Sequence, residues 1–153
     1  MLRTLLDDLA LTGFLKTTGG KGLHAVVPVR PALTWGRAQA FAKGVATLLA
    51  GTFPARFTAT PAKDQRDGRI FIDWLRNGEG ATSVGPYSVR ARPNAPVATP
   101  IAWDELAVDL RFDHFNIGNV RQRTHESADP WAGYPAVRQS VTRATAAKVG
   151  MRW

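Results

Sequence analysis

The chain has 153 residues, of which 44% are hydrophobic and 21% are charged, and it contains no cysteine. This composition is typical of a globular domain with a packed core, and it excludes disordered, collagen-like and coiled-coil chains. Without cysteine there are no disulfides, thiolate nucleophiles, Cys-ligated zinc sites or iron–sulfur clusters, so a bound metal would need oxygen or imidazole ligands.

The sequence has no apolar run of the length that a membrane span requires, which is about 18 residues. Asp7 and Asp8 interrupt the first residues, where a signal peptide would need an apolar stretch. We therefore predict a cytoplasmic protein.

The formal net charge is +8, and it is concentrated in the middle of the chain. Between Phe14 and Pro100 there are twelve basic and four acidic residues, whereas the flanking residues balance. This distribution indicates a surface for a polyanion, with phosphates as the obvious candidates. An arginine-rich solvated surface explains the charge equally well.

The first half of the chain contains two helix patterns and a hairpin pattern. Leucines at helical spacing predict an opening helix of about three turns that ends near Gly13. Two short strands are predicted at 14–17 and 23–29, joined by a glycine-rich connection. Apolar residues at intervals of three and four then predict an amphipathic helix from Thr34 to about Gly51.

The second half begins with the strongest strand signal, at 69–75, where alternation places Asp73 on one face with Phe71 and Leu75. A strand pair is predicted at 81–92, and helices are predicted at about 103–110, from 129–130, and at 137–149. These elements predict an α/β (α+β) domain with a central mixed or antiparallel sheet and flanking helices.

The segment 16–24 combines hydroxyls, glycines, a lysine and an imidazole. Glycines allow backbone N–H groups to converge on an anion, while Lys21, Thr18 and His24 add a charge and two side-chain donors. The Walker pattern is absent, because Lys21 is not followed by Ser or Thr. A phosphate site and a hairpin without a ligand are both compatible with this segment.

Asp73 also has two interpretations, as the ion-pair partner of an arginine such as Arg90 or as a ligand to Mg²⁺ or Mn²⁺, which prefer oxygen. Arg76, Arg90 and Arg92 fit either an exposed surface or a grip on a triphosphate. His114 and His125 have no partners at metal-ligand spacing, so we assign them no role.

Four segments taken together closely resemble the polymerase domain of bacterial ligase D: KTTGGKGLH at 16–24, RIFIDWLRNGEGATSVGPYSVRARP at 69–93, TPIAWDEL at 99–106 and ADPWAGY at 128–134. That domain is the primase-like nucleotidyltransferase module of bacterial non-homologous end joining, in the archaeo-eukaryotic primase superfamily. The segments occur in the same order and with similar spacing, and the resemblance runs through essentially the whole chain.

The resemblance implies roles for seven residues: Thr18, Lys21 and His24 would hold a nucleoside triphosphate, Asp73 would be the third metal carboxylate for Mn²⁺ or Mg²⁺, and Arg76, Arg90 and Arg92 would surround the triphosphate. Serine is more usual at the Thr18 position, and tyrosine is common at the Trp74 position. The partners implied are an NTP or dNTP, DNA ends, Ku and a DNA ligase domain, in the nucleoid of a bacterial cytoplasm.

One family motif is not found. The first motif is a strand carrying Asp-x-Asp, which holds both metal ions and lies upstream of the helix that opens this chain. No such pair precedes Lys16, and Asp7 and Asp8 are adjacent residues in a helical pattern. We therefore expect residues 1–153 to be a single domain that corresponds to the C-terminal half of the module and is inactive alone.

Three hypotheses follow for the function. The first is a working nucleotidyltransferase in which a partner chain or a substitute carboxylate completes the metal site. The second is a nucleotide- or DNA-binding remnant without catalysis. The third is a structural relic that self-associates to cover exposed sheet or core.

Overall fold

A computed structural model of the chain describes residues 1–106, 110–111 and 113–153. The chain divides into two units, each assembled from separate stretches of sequence. The helical unit contains Met1–Ala10, Val29–Ser83 and Gln139–Trp153, and the hairpin unit contains Leu11–Pro28 and Val84–Arg138. None of the helices in the described ranges has the length and apolar character needed to cross a membrane.

The helical unit is built around one long helix. Its elements are α1 (Leu2–Asp8), α2 (Trp35–Thr52), the parallel strands β3 (Phe57–Thr58) and β4 (Ile70–Phe71), a 3₁₀ turn (Leu75–Asn77), and α4 (Arg143–Lys148). Helix α2 begins where the Thr34 hydroxyl accepts the Arg37 N–H at 3.4 Å, a normal N-cap. Its buried residues Phe41, Ala46 and Leu49 supply the core of this unit together with residues of α1 and α4.

The hairpin unit contains a three-stranded antiparallel sheet. Strand β1 (Phe14–Thr17) lies between β2 (Leu23–Val26) and β5 (Pro100–Ile101), and the unit also contains α3 (Val120–Glu126) and a 3₁₀ turn (Tyr134–Ala136). The core cluster consists of Leu15, Ile101 and Phe115, with Leu23, Trp103 and Leu110 packed against it. This core fixes β1 and β2, and with them the glycine-rich connection between the two strands.

The predicted fold class is confirmed, because the protein combines helices with an antiparallel sheet. The strand at 14–17 is confirmed at both ends, and α2 agrees with the predicted helix to within a residue at each end. The opening helix is shorter than predicted, since it ends at Asp8 and Ala10 turns the chain with a φ of 54°. That residues 1–153 form one domain stays a prediction.

Of the strand predicted at 69–75, only the second and third residues form a strand, and the prediction is wrong for the rest. Strand β4 contains only Ile70 and Phe71, because its partner β3 offers only two residues for pairing. Asp73 therefore does not share a strand face with Phe71 and Leu75. Residues 81–92 form turns and a single bridge between Val89 and Val97 in place of the predicted strand pair.

Three helix predictions in the last third of the chain also need correction. Residues 103–105 form a turn, and residues 107–109 of the predicted helix at 103–110 lie outside the described residues. At 129–130 the Asp129 carboxylate accepts the Trp131 N–H at 2.9 Å, which starts a turn and not a helix. The closing helix begins only at Arg143, because the Gln139 carbonyl accepts the Arg30 N–H at 2.9 Å in the preceding extended stretch.

Candidate functional site

The glycine-rich connection between β1 and β2 is a tight loop closed by Thr18. The Thr18 backbone N–H and hydroxyl both donate to the Gly22 carbonyl, at 3.0 and 2.9 Å. The same hydroxyl accepts the Gly22 N–H at 3.4 Å. Thr18 was predicted to hold a triphosphate, but in this structure its hydroxyl closes the loop, so an anion would have to share or replace these bonds.

Gly19 is the position in this loop where only glycine fits. Its φ is 60°, in the left-handed region that disfavours side chains. A Cβ at this position would lie 2.8 Å from Cγ of Arg90 and 3.2 Å from the Pro96 carbonyl oxygen. Glycine therefore allows the segment after Gly85 to approach the loop closely.

Two of the predicted arginines lie against this loop. The Arg90 guanidinium donates through Nη1 to the Thr18 carbonyl at 3.1 Å. Arg92 is close to the next glycine, since a Cβ on Gly20 would lie 3.7 Å from the guanidinium carbon Cζ. The predicted parallel arrangement of both arginines on a strand face is wrong, because the chain turns here, with the Arg92 N–H donating to the Arg90 carbonyl at 2.8 Å.

Lys21 and His24 are both in the hairpin. Lys21 lies exposed in the loop, and His24 lies half-buried on β2, directly opposite Lys16 in the register of the two strands. Side chains of directly opposed residues lie on the same face of a sheet. The hairpin unit thus brings five of the seven predicted site residues, Thr18, Lys21, His24, Arg90 and Arg92, to one loop and its flanking segments.

Lys16 is a residue of this site for which no role was predicted. It is only 2% exposed, and its ammonium Nζ donates to the Val84 carbonyl at 2.5 Å. Burial, and to a smaller extent the positive charge of Arg90, lower the pKa of Lys16 from 10.5 to about 8. The signal in the sequence was a lysine between Leu15 and Thr17 inside a predicted strand, since a lysine is seldom buried unless it is hydrogen-bonded.

The other two predicted residues, Asp73 and Arg76, are in the helical unit. The Asp73 carboxylate accepts the Leu75 N–H through Oδ1 at 3.1 Å, and Oδ2 lies 3.9 Å from Nε of Arg76. Trp74 is fixed between them, because its Nε1 donates to the Ala59 carbonyl at 3.0 Å. Asp73 therefore lies on a turn that its own side chain stabilises.

Asp73 supplies only part of what a metal ion requires. Mg²⁺ needs six oxygen ligands, usually with several waters and one or two carboxylates. Within the described residues, no group of three His, Asp or Glu side chains is placed to hold a metal ion. The carboxylate of Asp73 fits one ligand position, but these residues do not make a complete metal site.

The hairpin unit also has a cavity of about 170 Å³ that no predicted residue lines. Tyr87 and Asp129 lie at its wall, together with Arg123 of α3. Arg123 is held by Glu105 through a pair of contacts, one of them 2.9 Å from Nη2 to Oε2, and the hydrogen bond from Arg123 lowers the pKa of Glu105. This ion pair ties α3 to the residues after β5.

Comparison with known proteins places these residues in a family. The family described as "LigD, primase-polymerase domain" matches residues 1–131. The chain belongs to the LigD primase-polymerase family. The resemblance predicted from the sequence is therefore confirmed for most of the chain.

Several relatives of this LigD primase-polymerase chain are bacterial end-joining proteins. The "Multifunctional non-homologous end joining protein LigD" of Pseudomonas aeruginosa is 42% identical over 149 residues, which are 96% of this chain and 18% of the relative. The "Bifunctional non-homologous end joining protein LigD" of Bacillus subtilis is 30% identical over 131 residues, which are 85% of this chain and 21% of the relative.

A solved structure with the same fold is the polymerase domain of Mycobacterium tuberculosis ligase D in complex with DNA. It matches with a TM-score of 0.81 and 35% identity, over 88% of this chain and 47% of that domain. The LigD primase-polymerase chain thus spans about half of the solved domain and about a fifth of the two relatives. The roles of the individual site residues stay predictions.

Proposed function

We propose that this chain binds a nucleoside triphosphate as part of a polymerase that extends DNA ends during bacterial non-homologous end joining. In the complete reaction a DNA 3′-hydroxyl oxygen attacks the α-phosphorus of an NTP or dNTP, and pyrophosphate leaves. The observation that carries the proposal is the glycine-rich loop with exposed Lys21 and with Arg90 and Arg92 against it.

The chemistry of this loop suits a polyphosphate. Arginine and lysine side chains bind phosphate oxygens through charge-assisted hydrogen bonds, which are about twice as strong as neutral ones. The hydrogen bond from Arg90 to the Thr18 carbonyl uses one nitrogen of a guanidinium that has five N–H donors. The loop can therefore keep its shape while Lys21 and the arginines engage an anion.

Asp73 is proposed as a single metal ligand, for Mn²⁺ or Mg²⁺. Two-metal nucleotidyl transfer requires carboxylates that hold both ions, because the ions activate the attacking hydroxyl and neutralise the leaving group. Since Asp73 supplies one carboxylate, we expect this chain to bind nucleotide and to need further carboxylates for transfer. These would come from another polypeptide or from residues beyond those of the site described here.

DNA ends are the proposed second substrate. The central part of the chain has twelve basic and four acidic residues, which favours binding to phosphates, and the solved polymerase domain of Mycobacterium tuberculosis ligase D is in complex with DNA. The relatives are named as multifunctional or bifunctional end-joining proteins, which supports a DNA ligase domain as a partner. Ku is proposed as a further partner because the resemblance to the polymerase domain of ligase D implies it.

The test is nucleotide incorporation on a gapped DNA duplex with a 5′-phosphate and Mn²⁺, comparing the wild-type chain with Asp73→Ala. No extension by either protein, together with ATP binding that weakens in Lys21→Ala, is the expected result for the chain alone. Extension that is lost in Asp73→Ala would show that a complete metal site is assembled here. Failure to bind ATP at all would refute the proposed function.

Binding without catalysis is the second candidate function. It is favoured by the finding that no group of three His, Asp or Glu side chains among the described residues, Asp73 included, is placed to hold a metal ion. This candidate predicts salt-sensitive DNA binding. It is distinguished from the first by adding a polypeptide that carries the Asp-x-Asp motif: restored incorporation supports the polymerase, and continued inactivity supports the binding remnant.

A further inference from the structure

Lys16 lies at the centre of the hairpin unit, where three elements meet. It is paired with His24 on β2 and with Pro100 on β5, and its ammonium reaches the carbonyl of Val84. Among the described residues, the ionisable groups that the structure places near it are His24, opposite it on the neighbouring strand, and Arg90, whose charge acts on its ammonium. At the facing position of β5 there is proline, which carries no charge.

The hydrogen bond of Lys16 fixes the segment 84–92 close to its start. Further along, the same segment is fixed by the Arg90 N–H, which donates to the Pro96 carbonyl at 2.8 Å, and by the Arg90 guanidinium on the Thr18 carbonyl. The segment that carries both arginines is thus bonded to the hairpin through Lys16 near its start and through Arg90 near its end, and its middle is bonded to Ala98 through Tyr87 and Ser88.

We propose that Lys16 is a positioning residue for triphosphate binding, which holds the arginine segment 84–92 against the glycine-rich loop and adds a buried positive charge beneath it. This inference rests on the proposed function. Lys16 itself need not touch the nucleotide, because its bond to Val84 holds the start of the segment that carries Arg90 and Arg92. A buried cation also attracts a polyphosphate more strongly than an exposed one, since little solvent screens it.

The protonation of Lys16 makes this role measurable. With a pKa of about 8, Lys16 is mostly charged at pH 7.5 and mostly neutral at pH 9.5. Bound polyphosphate favours the charged form, so affinity falls as the proton is lost. A side chain that only filled space would give no such pH dependence.

The experiment measures ATP affinity by calorimetry for the wild type, Lys16→Met and Lys148→Met at pH 7.5 and 9.5. Methionine keeps the length and packing of the lysine stem without the charge. Lys148 is the matched control, because its ammonium also donates to a backbone carbonyl, that of Asp8, but on the surface of the helical unit.

We expect Lys16→Met to lower ATP affinity at pH 7.5 on the order of tenfold, the effect of one unit charge across a partly buried site. The wild type and Lys148→Met should lose a similar factor between pH 7.5 and 9.5, and Lys16→Met should lose much less. Equal affinities of Lys16→Met and wild type, or parallel pH profiles, would overturn the inference. If Lys16→Met does not fold, the ATP affinity of the wild type at the two pH values is the test: a loss of affinity at pH 9.5 supports the inference, and an unchanged affinity overturns it.

A second measurement separates this inference from the proposed function. Hydrogen exchange of the Arg90 amide, which is bonded to Pro96, reports directly on the segment 84–92. Faster exchange in Lys16→Met and unchanged exchange in Lys148→Met support the positioning role. If the wild type fails to bind ATP, the proposed function is wrong; unchanged exchange at Arg90 in Lys16→Met refutes the positioning role whether or not ATP binds.

Discussion

Replacing Gly19 by alanine tests whether the glycine-rich loop depends on its close contact with Arg90. At a φ of 60° an alanine costs about 1 kcal/mol relative to glycine. Its Cβ would also lie 2.8 Å from Cγ of Arg90, so the arginine must move and its hydrogen bond to the Thr18 carbonyl is lost, which costs about 1–2 kcal/mol. Gly19→Ala should therefore lower the free energy of unfolding by about 2–3 kcal/mol.

The matched control is Gly22→Ala, in the same loop. A Cβ at Gly22 meets nothing within 4 Å, and its φ is not in the left-handed region. Alanine restricts the unfolded chain equally in both variants, so this contribution cancels in the comparison. Urea unfolding of both variants and the wild type gives the change in the free energy of unfolding that each substitution causes. Equal free energies for Gly19→Ala and Gly22→Ala would refute the reasoning.

Three further predictions concern stability. Because folding lowers the pKa of Lys16 from 10.5 to about 8, the unfolded chain binds this proton more tightly than the folded chain does. The free energy of unfolding of the wild type, compared with that of Lys16→Met, should therefore rise by about 3 kcal/mol from pH 8 to pH 10.5. Urea unfolding of both proteins at each pH measures this difference. Glu105→Gln removes the charge that pairs with Arg123 and should cost about 2 kcal/mol at pH 7. Because Arg123 lowers the pKa of Glu105 in the folded protein, this difference should begin to shrink below the ordinary glutamate pKa and disappear once the pH is below the lowered pKa of Glu105. Gly44→Ala should destabilise by about 1–3 kcal/mol in thermal unfolding, since its Cβ would lie 2.7 Å from the Val149 carbonyl, whereas Gly51→Ala in the same helix, with open space around it, should be neutral or stabilising.

The hairpin and α2 could be predicted from the sequence because local signals agree with the final packing. Strand residues on both sides of a glycine-rich stretch predict the turn, and the apolar spacing of α2 matches the face that becomes buried. The contact between Gly19 and Arg90 could not be predicted, since it joins residues 71 positions apart whose approach depends on the tertiary fold.

The strand around Asp73 was overestimated because strand propensity does not determine the length of a ladder. The run from Arg69 to Leu75 is rich in strand formers, but pairing ends where β3 ends. Helix α3 could not be predicted because its sequence lacks the apolar pattern that marks a helix. Val120 is its only aliphatic residue, and none of its residues is buried, so no apolar period marks it. Arg123 fixes this helix through Glu105, a contact that pattern analysis does not detect.

Each of the two units is assembled from separate stretches of the chain, which limits how the protein can be divided into fragments. The chain passes between the helical unit and the hairpin unit four times, so neither is a continuous fragment that can be expressed by cutting the gene once. Removal of 139–153 would take away α4 and with it the surface that closes over Gly44 of α2. Separate production of the hairpin unit would need a designed linker in place of 29–83, which would join the strands directly to the arginine segment.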